Sequence, residues 1–434
     1  MNPRILYMET YAYYRTLIEN GTLEKGTRMP SLRRCCRERS ISKTTAENAY
    51  FQLAADGYIV SRERSGFFVS SAGVVAPAVQ ATENMTGTET PAESPPYDFS
   101  RVGEDASAFC FGLWQKYMKS VMRDTSALIS YGEAQGEAEL REELASYVRK
   151  RRNIYCSAEN IVVGASTQNL LSLLLPMLRE KGLRRASVPT ASFSHSARVF
   201  ADFGFRVGYR DKQAEIIYVS PSHMTAWGEV MSLKRRYEIH EHSRKGHLIL
   251  EDDYQNDFNY SGQPCPSIYA LSGGEHVVYM GSFSRVLLPS IRISYMILPR
   301  ELVPLYARTA ALYGQTSSKT EQLALCRFLR DDQLDRHVRK IKRLYGAKRE
   351  LLREILEMFC DGKNYVPLIG EIGTELAVRT SGVSEASVRR RLESLGMACR
   401  IVPEKNDRYL LIFSCGIIGM QQMEELRQKL AAAS

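Results

Sequence analysis

The sequence lacks paired-cysteine spacing, a leader-like start and any apolar stretch long enough for a bilayer. Its nine cysteines, from Cys35 to Cys415, are odd in number and contain no C-x-x-C pair. Neither a disulfide framework nor a zinc site is expected, and a reducing cytoplasm is the expected compartment. The adjacent Cys35 and Cys36 read as helix packing before they read as a redox sensor. His240 and His242 form an H-x-H, but two residues apart on a helix they point to different faces, so no metal is expected. The longest apolar run, around Leu170 to Leu178, falls well short of the ~20 residues a spanning helix needs. No charged-then-apolar leader pattern opens the chain. These features exclude a membrane span and predict a soluble protein. No internal repeat is evident.

What is present is length, charge and alternation. At 434 residues the chain suits two or three domains with at least one large core. A net charge of +9 and a pI near 9.0 favour an anionic partner such as nucleic acid or phosphate. Residues 72–97 replace periodic hydrophobics with Ala, Thr, Val and Glu and carry Pro77, Pro91, Pro95 and Pro96. They are expected to be a flexible linker between a module over 1–71 and one over 98–434. Beyond it, short apolar runs alternate with longer amphipathic ones: 161–164, 186–189, 215–220, 247–252, 276–281 and 293–298. Parallel strands need crossover connections, so this pattern predicts an α/β domain with a mostly parallel sheet and helices on both faces. A small C-terminal α+β subdomain is implied only by the family resemblance that the motifs of the second module carry. Functional groups should lie at strand ends.

In the first module, Pro30-Ser31-Leu32-Arg33-Arg34 opens a short helix, and Ser42 can cap a second from Lys43 to about Asp56. Ala46, Ala49, Tyr50 and Leu53 form a buried stripe, which leaves Lys43, Thr44, Thr45 and Glu47 free to reach a major groove. Gly57 ends the helix, and Tyr58–Arg62 and Phe67–Val69 read as a two-stranded wing with Arg62, Arg64 and Gly66 along phosphates. P-S-L-R-R, S-K-T-T and D-G-Y-I-V-S-R-E-R-S-G-F-F-V together resemble the winged helix-turn-helix of the GntR family. The resemblance implies contacts to double-stranded DNA by Arg33, Lys43, Thr44, Thr45, Arg62 and Gly66. Lys43 stands where that family often has arginine, so it is read either as a base contact or as a phosphate contact.

In the second module, the strand ending Glu251-Asp252-Asp253-Tyr254, with Asp257-Phe258 beyond, resembles the ring-binding segment of aminotransferases. A carboxylate there keeps a pyridine nitrogen protonated, and a phenol bonds the ring hydroxyl. Tyr131-Gly132-x-x-x-Gly136, Ala165-Ser166-Thr167-Gln168, Ser220-Pro221-Ser222-His223 and Gly281-Ser282-Phe283-Ser284-Arg285…Arg292 follow the order of fold-type I pyridoxal-phosphate (PLP) enzymes. The resemblance implies that Asp252, Tyr254, Thr167, Gln168, Ser282, Arg285 and Arg292 line a cofactor cradle, and that Tyr131 reaches a partner's phosphate across a homodimer. The helix start at Ser166–Gln168 offers N–H groups and a positive dipole end to that phosphate.

Arg285 occupies the lysine position. A guanidinium stays charged and is a poor nucleophile, so no Schiff base can form there and no catalytic residue is assigned. Lys319, about thirty residues on, is not read as a substitute. Thr225-Ala226-Trp227-Gly228 and Pro189-Thr190-Ala191-Ser192-Phe193 depart from the family pattern on the substrate face, where Phe193 or His195 could stack on a ring. Arg408 is read as an effector-carboxylate ligand or as a surface arginine.

A winged helix, a linker and an aminotransferase-like domain in this order resemble the MocR subfamily of GntR regulators. The resemblance implies a transcriptional regulator that binds PLP, pyridoxamine phosphate or an amino-acid adduct noncovalently, with an amino-acid-like effector. Two consequences of Arg285 compete: it pairs with a carboxylate or phosphate and leaves a pocket, or it plugs the pocket. The alternative function is a PLP-dependent aminotransferase or a lysine-independent PLP enzyme.

Overall fold

The computed structural model describes residues 3–56, 58–62, 65–70, 95–190, 193–260, 265–310, 312–404 and 408–433. Gly57, Arg64, Ala191, Ser192 and most of the expected linker lie outside the described residues. The chain divides into two compact units, residues 1–93 and 94–434.

The first unit contains α1 (Pro3–Glu19), α2 (Leu32–Arg39), α3 (Lys43–Ala55), β1 (Ile59–Arg62) and β2 (Gly66–Val69). Both short helices start on serine caps: Ser31 Oγ accepts from the Arg34 N–H at 3.3 Å and Ser42 Oγ from the Thr45 N–H at 3.2 Å. Ser40 takes the left-handed conformation (φ 53°) that ends α2 and turns the chain into α3. The stripe of Ala46, Ala49, Tyr50 and Leu53 is fully buried against Tyr14, Ile18 and Cys35. Tyr50 also donates to the Pro30 carbonyl at 2.8 Å, which ties α3 to the start of α2. Burial pushes the Cys35 thiol above its ordinary pKa, as expected of a packing residue. β1 and β2 pair antiparallel from Ile59↔Val69 to Arg62↔Gly66, with Gly66 at φ 95° in the turn.

The second unit begins with β3 (Tyr97–Asp98), α4 (Phe111–Met122), α5 (Thr125–Leu128), α6 (Ala138–Arg152), β4 (Ile161–Gly164) and α7 (Thr167–Glu180). It continues through β5 (Arg185–Val188), α8 (Ser194–Asp202), β6 (Arg206–Tyr209), β7 (Ile216–Val219), α9 (Leu233–Arg244) and β8 (Leu248–Asp252). Next come α10 (Ile268–Ser272), β9 (Val277–Ser282), β10 (Ser294–Ile297), α11 (Val303–Ala310), α12 (Lys319–Arg330) and α13 (Gln333–Phe359). The chain closes with β11 (Tyr365–Leu368), β12 (Glu375–Thr380), α14 (Glu385–Leu395), β13 (Met397–Ala398), β14 (Arg400–Glu404), β15 (Arg408–Ser414) and α15 (Met420–Ala433).

The large sheet has the order β4-β10-β9-β8-β7-β5-β6; β10 runs antiparallel to both neighbours and the other pairs are parallel. Side chains alternate between its faces. Val163, Ile249, Val277 and Tyr279 join one core, and Val162, Leu250, Val278 and Met280 join the other. The six apolar runs all become strands; β6 is an additional one, because R-V-G-Y at the sheet edge carries little apolar signal. A second, antiparallel sheet of order β11-β12-β15-β14 packs with α13, α14 and α15 around a separate core. β3 pairs parallel with β13, so Tyr97, at the end of the segment read as linker, is a strand residue. Among the described residues, no helix is long and apolar enough to cross a membrane.

Candidate functional site

On the first unit, the exposed start of α3 carries Lys43 and Thr44; Lys43 lies 3.5 Å from Glu47 one turn on. Thr45 departs from expectation. It is 6 % exposed, and its hydroxyl lies 2.8 Å from Ser42 Oγ within the cap, so it is not free to reach a groove. Asn48 takes its place: it is exposed and one turn from Thr44, a position the buried stripe itself implies. Arg33 is exposed on α2, whereas Arg34 is held by Glu38 at 2.6 Å. In the wing, the Arg62 guanidinium lies over the Phe68 ring at 4.6 Å, which fixes its direction. Arg28, unremarked in the sequence, bridges to Phe68 and is exposed beside Gly66.

On the second unit, strand register brings the expected cradle together. Ser294 of β10 pairs with Gly164 on one side and Ser282 on the other, so the ends of β4 and β9 are level. At ~4.8 Å per strand they stand about 10 Å apart. α7 begins just beyond β4, its Ser166 cap accepting from the Asn169 N–H at 3.1 Å. Ser282 Oγ accepts from Ser294 Oγ at 2.9 Å and from the Ser284 N–H at 3.3 Å. Arg292 is exposed, and no ion pair of the described residues involves it. Thr167 is half-buried and Gln168 exposed at the helix start. A serine at the end of β9, an exposed arginine and a helix start are each of the kind that binds a phosphate-sized anion.

Three consecutive acids at the end of β8, Glu251 and Asp252 with Asp253 just beyond, have different surroundings. Glu251 accepts the N–H groups of Ile268 (2.9 Å) and Tyr269 (2.8 Å) at the start of α10, and burial pushes its pKa up to about 7. Asp253 takes the Arg152 guanidinium (2.7 Å), the Tyr279 hydroxyl (2.6 Å) and Ser222 Oγ (2.7 Å). Burial acts to raise its pKa, but Arg152 and these hydrogen bonds outweigh it and hold the carboxyl low. Asp252 projects to the other face, accepts from the Tyr218 hydroxyl at 2.6 Å, and is pushed up to about 6 by burial. It is a carboxylate in want of a cation, which suits a pyridine nitrogen.

Arg285 is buried and bonded within the protein. Its Nη1 lies 2.9 Å from Glu104 Oε1, and its Nη2 donates to Thr374 Oγ1 at 2.9 Å. With the Gln255 amide oriented by its network, Gln255 Oε1 accepts from Arg285 Nε (3.0 Å), Arg285 Nη2 (3.1 Å) and the Tyr254 hydroxyl (3.1 Å). Glu104 Oε2 accepts from Tyr345 at 2.6 Å, while Oε1 is close to Arg285 without hydrogen-bond alignment. Burial raises the Glu104 pKa even so. Tyr254 stands edge-on to His223 at 5.1 Å. The His223 ring is pushed down to about 4, first by burial and then by Arg285, and its Nε2 is buried without a partner. No motif in the sequence pointed to Glu104 or Thr374.

Five other expectations resolve as follows. Phe193 packs edge-on against Tyr218 at 6.0 Å, and His195 is exposed. Trp227 and Gly228 dock on residues 370–372 of the smaller subdomain, where a Cβ at Gly228 (φ 81°) would collide with the Ile372 carbonyl. Lys319 donates to Ser130 Oγ at 3.0 Å, near Tyr131 rather than on a cofactor strand end. Arg408 starts β15, whereas Ser414 at its other end pairs with Glu375 beside Thr374. Six residues of strand span about 20 Å, so Arg408 is a surface arginine and not a ligand of the cradle. Tyr131 is fully exposed.

Residues 6–69 match the family described as bacterial regulatory proteins, gntR family, and residues 105–211 match aminotransferase class I and II. A Bacillus subtilis (strain 168) protein, the uncharacterized HTH-type transcriptional regulator YdeL, is 34% identical over 367 residues, covering 81% of this chain and 79% of its own. The chain belongs to the MocR subfamily of GntR-family transcriptional regulators. The regulator is also 26% identical over 376 residues to the probable rhizopine catabolism regulatory protein MocR of Rhizobium meliloti, covering 80% of this chain and 76% of that one. A crystal structure of an archaeal alanine:glyoxylate aminotransferase aligns with TM-score 0.68 and 20% identity over 78% of this chain and 90% of its own, a likeness of fold. This is therefore a DNA-binding transcriptional regulator with an aminotransferase-like domain.

Proposed function

We propose that the regulator holds PLP, pyridoxamine phosphate or a PLP–amino-acid adduct noncovalently as its effector, catalyses no amino transfer, and acts on duplex DNA as a homodimer. The observation that carries this reading is the state of two arginines. Arg285 is consumed by Glu104, Thr374 and Gln255, whereas Arg292 at the anion end has no partner among the described residues. A plugged cradle gives no role to an arginine left exposed two residues before β10.

When bound, PLP supplies an electron-withdrawing ring and an aldehyde. The chain holds its phosphate with Ser282, Arg292 and the N–H groups at Thr167 and Gln168, its ring nitrogen with Asp252 and its ring hydroxyl with Tyr254. Arg285 lines the site without offering a nucleophile, and Tyr131 serves the partner's phosphate. On the DNA side Arg33, Lys43, Thr44, Arg62 and the backbone at Gly66 make the contacts.

The test is PLP titration by calorimetry and visible absorption, followed by borohydride and intact-mass measurement, for wild type, Arg285→Lys and Arg292→Ala. Wild type is expected to bind PLP and gain no reduced adduct, Arg285→Lys to gain one, and Arg292→Ala to bind at least tenfold more weakly. A wild-type adduct, amino transfer by wild type, or no PLP binding at millimolar concentration would overturn the reading.

A further inference from the structure

The topology of the large sheet leaves part of one face without a helix. β6 and β7 are parallel and flank β5, so the chain crosses β5 between them. Such a crossover ordinarily takes a dozen or more residues and lays a helix on the sheet. Here residues 210–215 make the crossing without helical structure. They lie against β5, where the Asp211 N–H donates to Ser187 Oγ at 2.9 Å and Arg185 holds the Asp211 carboxylate at 2.9 Å. α8 covers the opposite face, its Phe200 edge-on to Tyr218 at 6.0 Å.

Between the crossover, β7 and α9 lies a cavity of about 1030 Å³, at the upper end of small-molecule sites. Its floor is apolar, formed by Ile217, Val219, Met231 and Ile239. Its rim is mainly cationic. Arg210 and Lys212 are exposed there, and no ion pair of the described residues involves either. The other rim charges are Arg235, paired with Glu238 at 2.7 Å, Asp211, held by Arg185, and exposed Glu229. Arg210 holds φ 51°, a left-handed conformation that a side chain rarely adopts. Ser232, which caps α9, also lines the wall and places the positive end of that helix dipole at the cavity. His247 Nδ1–H donates to the Ala214 carbonyl at 2.9 Å, which leaves Nε2 as an acceptor.

We infer that this cavity is a second ligand site, for a small amphipathic organic anion whose apolar body, an alkyl or aryl chain, lies on the floor and whose carboxylate meets Arg210 and Lys212. The site is separate from the cofactor cradle and does not depend on the cofactor reading. The two share β7: Ile217, Tyr218 and Val219 all line the cavity, and the Tyr218 hydroxyl also donates to Asp252.

The test titrates octanoate and 3-phenylpropionate into the full-length protein by calorimetry, with 1-octanol as the neutral probe. Wild type, the double variant Arg210→Ala/Lys212→Ala and the wall variant Val230→Trp are compared, and thermal unfolding checks that each is folded. The double variant changes only exposed side chains, so its result stands even where Val230→Trp fails to fold. Saturable octanoate binding, weakened at least tenfold by the double variant, much weaker for 1-octanol and unchanged by saturating PLP, is expected. No octanoate binding at millimolar concentration overturns the inference, as does octanol binding equal to octanoate, indifference to the double variant, or competition by PLP.

Discussion

Asp252 carries two roles that pull its proton in opposite directions. Burial favours the neutral acid and sets the pKa to about 6, against an ordinary value of 3.8. A carboxyl raised in this way costs no stability at pH values where it is protonated in both folded and unfolded chains. It costs progressively more as pH rises from about 4 through 6. Glu251, raised to about 7 by burial, adds a second step of the same sign. In the ligand-free protein, Asp252→Asn is therefore expected to raise stability at pH 7 by about 1–3 kcal/mol, each pKa unit being worth about 1.4 kcal/mol. The same variant should bind PLP more weakly, since a neutral amide cannot hold the ring nitrogen's proton. Urea unfolding at pH 4 and pH 7 gives the first quantity and calorimetry the second; an Asn variant less stable than wild type at pH 7 would refute the assignment. Arg285 and Asp252 were both legible from motif spacing, but the partners of Arg285 were not. Glu104 and Thr374 sit in segments with no motif of their own, and only tertiary folding brings them to the strand end.

At the level of elements, α3 and the wing were read with little loss because each is specified by local rules. Serine at the caps, small and aromatic residues on one helical face, and glycine at the wing's turn all act within a few residues. Thr45 was misjudged because its position counted from the cap places it outside, whereas its hydroxyl joins the Ser42 cap and turns inward. β6 escaped notice because an edge strand need not be apolar. Ser42→Ala is expected to cost the first unit about 0.5–2 kcal/mol through loss of the cap. Lys43→Ala should leave stability nearly unchanged, yet weaken DNA binding and reduce the slope of log affinity against log salt by about 1. Filter binding across a salt series separates the two. An unchanged slope for Lys43→Ala would remove that residue from the phosphate contacts.

For the whole molecule, alternation of short apolar runs with amphipathic ones foretold the parallel sheet, because crossover topology imposes that rhythm on any sequence. What no single chain can display is the source of Tyr131's partner. Its ring is fully exposed, as is the neighbouring Ile129, in a segment that Lys319 holds through Ser130. The proposed homodimer would account for this, and sedimentation equilibrium is then expected to give twice the 49.2 kDa chain mass. Tyr131→Ala should keep that mass while weakening PLP binding. A monomer at micromolar concentration would leave the anion end without the partner's Tyr131 and contradict the arrangement.

The division of labour along β8 has a consequence for how this gene can change. The pleat turns Asp252 toward Tyr218 and Glu251 and Asp253 to the opposite side, where different neighbours, the start of α10 and Arg152, separate the latter two. A one-codon insertion or deletion before them would exchange every duty at once, setting the Arg152-bound acid in the cradle and the sensing acid in the core. The register of this strand is thus constrained as tightly as its buried side chains, Ile249 and Leu250 among them.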